Sequence, residues 1–435
     1  PVRQRFWHRR VARALAETGE ADAESLSGQI GAHFEQAGVA QEAIDHYRRA
    51  ADYARQRYAD TEAADLLRRA LTLCRGLPDS DRKLTQELDL LATLGPALVT
   101  TEGYSAAEVG DTYERALALS RRLGDHNIFA ILSGIWVFRI VRGDLERAHQ
   151  SGLEFLRAAA RDPAPGLMLA ANFIVGSSLF HMGELEAALQ AMTAAIPTHR
   201  GPAESVLALF AGPDLGVFCR AYLAHLAWHR EERVDADVHA AEAIAAAKRI
   251  SHPFSEAIAL DYAAMLHVFR RDSRAALEQG REAVELCSRY GFAYYLAMAN
   301  VLTGWAEAAE GDVPAGLAQL REGLDGMRRL GAELRLPYYF SLLAETFGRA
   351  GLVGEALASL STGFAFVRKN GEKWAAAELH RAQGDLLAAE GKLEPARACY
   401  RRGVEAAREA GSLALERKLS ILAGGTAAAA SIERS

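Results

Sequence analysis

The 435-residue chain is poor in the residues that build covalent or metal cross-links. Its four cysteines, Cys74, Cys219, Cys287 and Cys399, stand apart with no CxxC pair. That excludes a disulfide framework and a cysteine-based zinc site, and it points to a reducing, cytoplasmic setting. Long apolar runs are also lacking. The strongest, residues 128–141 (IFAILSGIWVFRIV), contains Arg139 and falls short of the ~18–20 residues a membrane span needs. It reads as a buried helix, and no membrane partner is expected. Charge of one sign is missing too: the formal net charge is −6, spread over both signs, so there is no basic stripe for nucleic acid.

Catalytic motifs are absent in turn. GxSxG, HExxH, GxGxxG and EF-hand loops do not occur. The nearest approach to a phosphate loop, Glu390-Gly391-Lys392-Leu393, lacks the first glycine and the Ser/Thr that would hold magnesium. The expectation is a chain that is not an enzyme and carries no cofactor. Few segments alternate with a period of two, so strands are not expected.

What is present is a period. Gly311, Gly351 and Gly391 lie forty residues apart, and so do Gly103, Gly143 and Gly183. Glu231 and Arg271 occupy the same slot between the trios, after an extra stretch of eight residues. Such a period marks a stack of units, each burying its apolar face against its neighbours. Around each slot, small residues precede by seven (Gly304, Ala344, Gly384, Gly176) and follow by five (Gly316, Ala356, Ala396, Ala188). Large ones follow four further on (Leu320, Leu360, Tyr400, Met192), then small ones again (Gly323, Gly363, Gly403, Ala195). Apolar residues at helical spacing on both sides of a glycine turn describe an antiparallel helix pair, with small residues where the axes approach. The spacing predicts an all-α solenoid of about ten hairpins.

This small–large–small pattern resembles the tetratricopeptide repeat, most clearly over Ile30, Gly31, Phe34, Gly38, Ala43, Tyr47 and Ala50. The resemblance implies a right-handed superhelix whose first helices line a concave groove. The family's usual unit is about 34 residues, so the longer period here implies a longer second helix or a longer link. Several segments also resemble the repeat region that follows a STAND-type ATPase in bacterial signalling proteins, some carrying a class III adenylate cyclase. They are residues 103–125 (GYSAAEVGDTYERALALSRRLGD), 250–272 (ISHPFSEAIALDYAAMLHVFRRD) and 331–351 (GAELRLPYYFSLLAETFGRAG). Residues 211–229 and the opening RFWHRRVARALAE (5–17) also fit. No ATPase or cyclase residue has a counterpart in the chain.

Projecting the groove positions unit by unit gives Phe173, Phe180 and His181, then His225, Trp228 and His229, then Asp261, Met265 and Phe269, then Trp305, then Tyr338 and Glu345. Aromatic anchors flanked by polar residues are what binding hot spots look like. The expectation is a groove for a protein, a peptide or a small effector. A tightly wound superhelix would instead bury the same side chains against one another across its lumen, and a shift of register after the insertion would move them. His225 and His229 have a spacing that could share a metal, but no carboxylate or cysteine completes the set, so no metal is expected. Asp261 and Glu345 fall in separate units and do not form a catalytic pair.

The chain divides on this reading into a basic amphipathic helix (1–24) that ends a linker from upstream domains, a repeat array (25–423) interrupted at 197–214, and a flexible tail (424–435). Because it begins with Pro, it reads as a piece of a longer protein. The function expected is a non-catalytic sensing or docking module that regulates attached ATPase, cyclase or transcription domains. The alternative is a free-standing scaffold or peptide-pheromone receptor.

Overall fold

The computed structural model describes residues 2–17, 20–57, 59–162, 164, 166–196 and 214–424. The expected insertion at 197–214, apart from Asp214, and the tail beyond Gly424 lie outside the described residues. Among those residues every regular element is helical and there is no strand. The chain divides into two compact units between Phe138 and Arg139.

The first unit holds α1 (Val2–Ala16), α2 (Glu20–Ala37), α3 (Ala40–Gln56), α4 (Asp60–Arg75), α5 (Asp81–Glu102), α6 (Ala107–Arg122) and most of α7 (Ile128–Val141). Its packing follows the small–large rule. A Cβ on Gly31 would lie 2.8 Å from the Tyr47 ring, and Gly95 and Gly134 both leave space for the ring of Tyr113. Tyr47, Tyr113, Leu88 and Leu98 are buried in consequence.

The second unit contains α8 (Leu145–Ala159), α9 (Leu167–Met182), α10 (Leu185–Ala195), α11 (Leu215–His229), α12 (Arg233–Arg249), α13 (Pro253–Arg270) and α14 (Ser273–Tyr290). It continues with α15 (Ala293–Ala309), α16 (Val313–Arg329), α17 (Leu336–Arg349), α18 (Val353–Asn370), a 3₁₀ turn (Lys373–Ala375), α19 (Ala376–Ala389), α20 (Leu393–Ala410) and α21 (Leu413–Leu422). At the crossing of α15 and α16 a Cβ on Gly304 would run into the backbone of Gly316 and Leu320, so glycine alone lets the helices come this close.

The forty-residue slot is a left-handed turn between the two helices of a hairpin. Gly143, Gly183, Gly311, Gly351 and Gly391 all have φ between +73° and +117°, and Glu231 and Arg271 adopt +65° and +62°. A second series, Ser251, Gly291, Gly331, Gly371 and Gly411, also has positive φ and marks the links between hairpins. Second helices α14, α18 and α20 each run 18 residues and the first helix α13 equals them. The length beyond an ordinary repeat is therefore taken up by helix, not by link.

In the second unit the stack curls until early hairpin turns touch late links. The Val141 carbonyl accepts hydrogen bonds from the amides of Glu333 (2.8 Å) and Leu334 (3.1 Å). Gly143 abuts the Asn370 side chain, and a Cβ on Gly183 would lie 3.0 Å from Lys373. The 3₁₀ turn packs on α9, and α21 packs on α11.

Candidate functional site

The first helices of successive hairpins, α9, α11, α13, α15, α17 and α19, turn their inner faces toward the middle of the second unit. The candidate residues meet there. Phe180 stacks near Tyr222 (ring centroids 5.3 Å apart), His229 (5.9 Å) and Trp374 (5.3 Å). Phe269 lies 4.9 Å from Trp228, 5.3 Å from Tyr338 and 5.9 Å from Trp374. Phe173 approaches Tyr222 at 6.1 Å.

Phe173, Phe180, His181, His225, His229, Asp261, Met265, Phe269, Trp305 and Tyr338 are all buried, while Trp228 and Glu345 are half-buried. Ten of the twelve are thus buried side chains rather than residues of a solvent-facing wall.

Three polar assemblies occupy this interior. The first centres on Glu372, which is fully buried. Its carboxylate accepts from His181 Nδ1 (3.0 Å), from the Arg335 amide (2.9 and 3.0 Å to the two oxygens) and from Trp374 Nε1 (2.8 Å). His181 Nε2 then takes the Tyr222 hydroxyl at 3.1 Å. Burial lowers the His181 pKa against the opposing pull of Glu372, so the ring is neutral, with Nδ1 as the donor.

The second assembly is ionic. Arg271 donates to Glu345 (2.8 Å) and Glu378 (2.5 Å), and Arg381 donates to Glu378 (2.7 Å), Glu345 and Asp385. Trp305 Nε1 reaches Glu345 at 2.9 Å. Burial works to raise the Glu378 pKa, but Arg381 and Arg271 outweigh it and hold the carboxyl below its usual range. Arg271 stands in the slot where glycine recurs because its side chain, not its backbone, is what this position needs.

The third surrounds Arg335, 1% exposed, at the amino-terminal end of α17. Its guanidinium lies over the Tyr262 ring, 4.7 Å from the centroid, and donates to the Tyr262 hydroxyl and to Met298 Sδ (3.8 Å). Arg335 Nε has no partner, and neither do the two carboxylate oxygens of buried Asp261 or the Tyr339 hydroxyl. Burial pushes the Asp261 carboxyl well above its ordinary range, with Arg335 opposing, so the fold favours its protonated form.

His225 Nε2 bonds the Tyr262 carbonyl (2.8 Å) and His229 Nδ1 the Ser412 hydroxyl (2.8 Å), which leaves His225 Nδ1 and His229 Nε2 without partners. Among the described residues no group of three His, Cys, Asp or Glu is placed to hold a metal ion.

Sequence reasoning missed Tyr222, Tyr262, Arg271, Arg335, Glu372 and Trp374. The first two lie on first helices, beside the projected positions. The signal for Glu372 and Trp374 was the second glycine series, since they stand one and three residues after Gly371.

Successive helical hairpins with small–large–small crossings define a tetratricopeptide-like helical repeat fold. A solved Rap protein complexed with competence and sporulation factor shares it, with a TM-score of 0.62 at 11% identity over 88% of this chain and 99% of that one. The apo form of RapI aligns over 84% of this chain and 98% of its own, with a TM-score of 0.48 and 12% identity. No protein-family model matches the chain. An uncharacterized protein of Rhizobium meliloti (strain 1021) is 28% identical over 418 residues, covering 94% of this chain. The chain spans 40% of that relative's length. No described helix is long and apolar enough to cross a membrane.

Proposed function

We propose that the chain is a non-catalytic sensing module whose second unit takes a peptide or small effector into its interior and thereby regulates signalling domains attached to it. The observation that carries this reading is the set of buried polar groups left without partners on the inner helices: Asp261, Tyr338, Tyr339, Thr303, Arg335 Nε, His225 Nδ1 and His229 Nε2. An interior built for stability alone would not keep them, because each unsatisfied buried polar group costs ~1–3 kcal/mol. They are donors and acceptors held ready for a guest.

Coupling to attached domains follows from the closure. A guest that fits only one curvature of the stack shifts the balance between closed and open forms by its differential affinity. The relative's greater length leaves room for the domains that would read that shift. Native mass spectrometry of the purified chain tests the reading. A non-covalent adduct whose removal speeds amide exchange at Glu333 and Leu334 supports it. A ligand-free chain whose thermal midpoint is unmoved by peptide and metabolite libraries overturns it.

A further inference from the structure

The second unit touches itself by one rule: the turn end of an early hairpin meets the link of a later one. The Val141 carbonyl accepts from the Glu333 and Leu334 amides, His181 meets Glu372, and His229 and Glu231 meet Ser412 and Arg417. The last three pairs are separated by 191, 183 and 186 residues, so nearly the same offset recurs as the superhelix advances. A row of turns is thereby covered by a row of links.

The two rows do not end together. Gly143 and Gly183 abut Asn370 and Lys373, whereas a Cβ on Gly311, Gly351 or Gly391 would meet nothing of the described residues within 4 Å. Side chains show the same contrast. Leu145 and Leu185, two residues after Gly143 and Gly183, are 1% and 4% exposed. Leu393, two residues after Gly391, is 57% exposed, and Leu352 is 38% exposed. At the offset of the inner contacts, links to cover Gly351 and Gly391 would fall beyond residue 435, the last of this sequence.

At the opposite edge, the links at Ser251 and Gly291 precede those that cover turns. They carry aromatic rings that stand partly in solvent. Tyr290 is 50% exposed and stacks on Phe292, with centroids 5.7 Å apart and planes at 10°. Phe292 in turn lies 4.8 Å from half-buried Phe254. Apolar side chains left in water at both free edges mark surfaces that something covers. The closed contacts of the chain say what that is: a row of turns takes a row of links.

We propose that the second unit binds a second copy of the chain head to tail. The free links of one copy (Phe254, Tyr290 and Phe292) lie on the free turns of the next (Leu352 and Leu393). The contact continues between copies the one that the superhelix makes within itself. Because the two surfaces differ, the association is heterologous, and each added copy presents a fresh row of turns. Assembly of this kind is independent of what the interior binds.

Sedimentation velocity of the full chain over a roughly thousandfold range of concentration tests it. Species heavier than the 47.1 kDa chain should grow with concentration, in steps of one chain. Leu393→Glu and Tyr290→Ser each change one exposed side chain on one edge. Each therefore leaves the thermal midpoint at the wild-type value and weakens self-association at least about tenfold.

Mixing the two variants pairs the intact links of the Leu393→Glu chain with the intact turns of the Tyr290→Ser chain. The mixture should form a dimer and stop there, since both outer edges are altered. A chain that stays monomeric throughout, or association that neither substitution weakens, refutes the proposal. So does a dimer that both substitutions break and mixing does not restore, because that marks a symmetric contact.

Discussion

His181 and Glu372, 191 residues apart, meet at 3.0 Å with neither side chain exposed to solvent. Such a contact between an early and a late hairpin turns a stack of nearest-neighbour units into a closed body, because it joins elements that the repeat period alone would keep apart. Glu372 is the right residue for it, since one carboxylate satisfies donors from α9, from the start of α17 and from its own 3₁₀ turn.

Removing that carboxylate strands several buried donors at once. Glu372→Ala is expected to destabilise the chain by about 3–5 kcal/mol. Glu372→Gln recovers only part of this, since its amide presents a donor to donors. Urea denaturation reads the loss, and hydrogen exchange at Glu333 and Leu334 reports whether the Val141 contact opens with it. An unchanged exchange rate there would show that the closing contacts are independent of one another.

The two departures from glycine in the forty-residue slot separate backbone from side-chain demands. Glu231 holds φ +65° with an exposed side chain that reaches Arg417 at 3.4 Å, a contact worth little in water. Glu231→Gly is therefore expected to raise stability by about 1 kcal/mol as the left-handed strain is relieved. Arg271→Gly relieves the same strain at φ +62° but strips Glu345 and Glu378 of a partner, and should destabilise. Paired urea titrations decide it; two changes of the same sign would mean that the slot's backbone geometry outweighs its contacts.

These contrasts also show what the sequence could and could not yield. Hairpins, turns and crossings were legible because they rest on local chemistry: Gly304 against Leu320 and Gly384 against Tyr400 need only helical spacing and small volume. The inner positions were legible for the same reason, so Phe180, His225 and Phe269 do converge. Closure was not. It depends on how much each hairpin rotates relative to the last, a quantity accumulated over some 190 residues, and no single residue encodes it. Glu372, Trp374 and Arg335 sit in links and helix starts, where composition says only that a turn occurs. Their partners become visible only once the curl is complete.

Trp305 and Trp228 gauge how far the interior is sealed. Trp305 is 1% exposed, with its indole nitrogen on Glu345 and the Arg271 guanidinium 5.5 Å from its ring centroid. Trp305→Ala should cost ~3–5 kcal/mol, as for a core tryptophan. Trp228 is half-buried at the edge of the aromatic cluster, with the Phe269 ring 4.9 Å away. Trp228→Ala should cost clearly less. Thermal melts compare them directly, and equal losses would place both in one continuous core.

The buried titratable groups set opposing pH dependences. Asp261 has an ordinary carboxyl value of 3.8 and is raised well above it by burial, so the fold favours its protonated form. Its contribution to stability is fully present below about pH 3.8 and is lost as pH rises through the folded value. His225 and His229 run the other way: burial lowers each from 6.5 to about 3, so the fold favours the neutral rings. Their contribution is present above pH 6.5 and is lost as pH falls toward about 3. Asp261→Asn keeps the shape and removes the ionisation, so its melting temperature should exceed the wild type's at neutral pH and match it below about pH 4. His229→Asn should lower stability at every pH through the lost ring but make the acid-side loss shallower. Denaturation midpoints across pH 4 to 8 measure both slopes. An Asp261→Asn profile parallel to the wild type's would mean that Asp261 is ionised in the folded chain, and that Arg335, the one opposing charge acting on it, is its counter-ion.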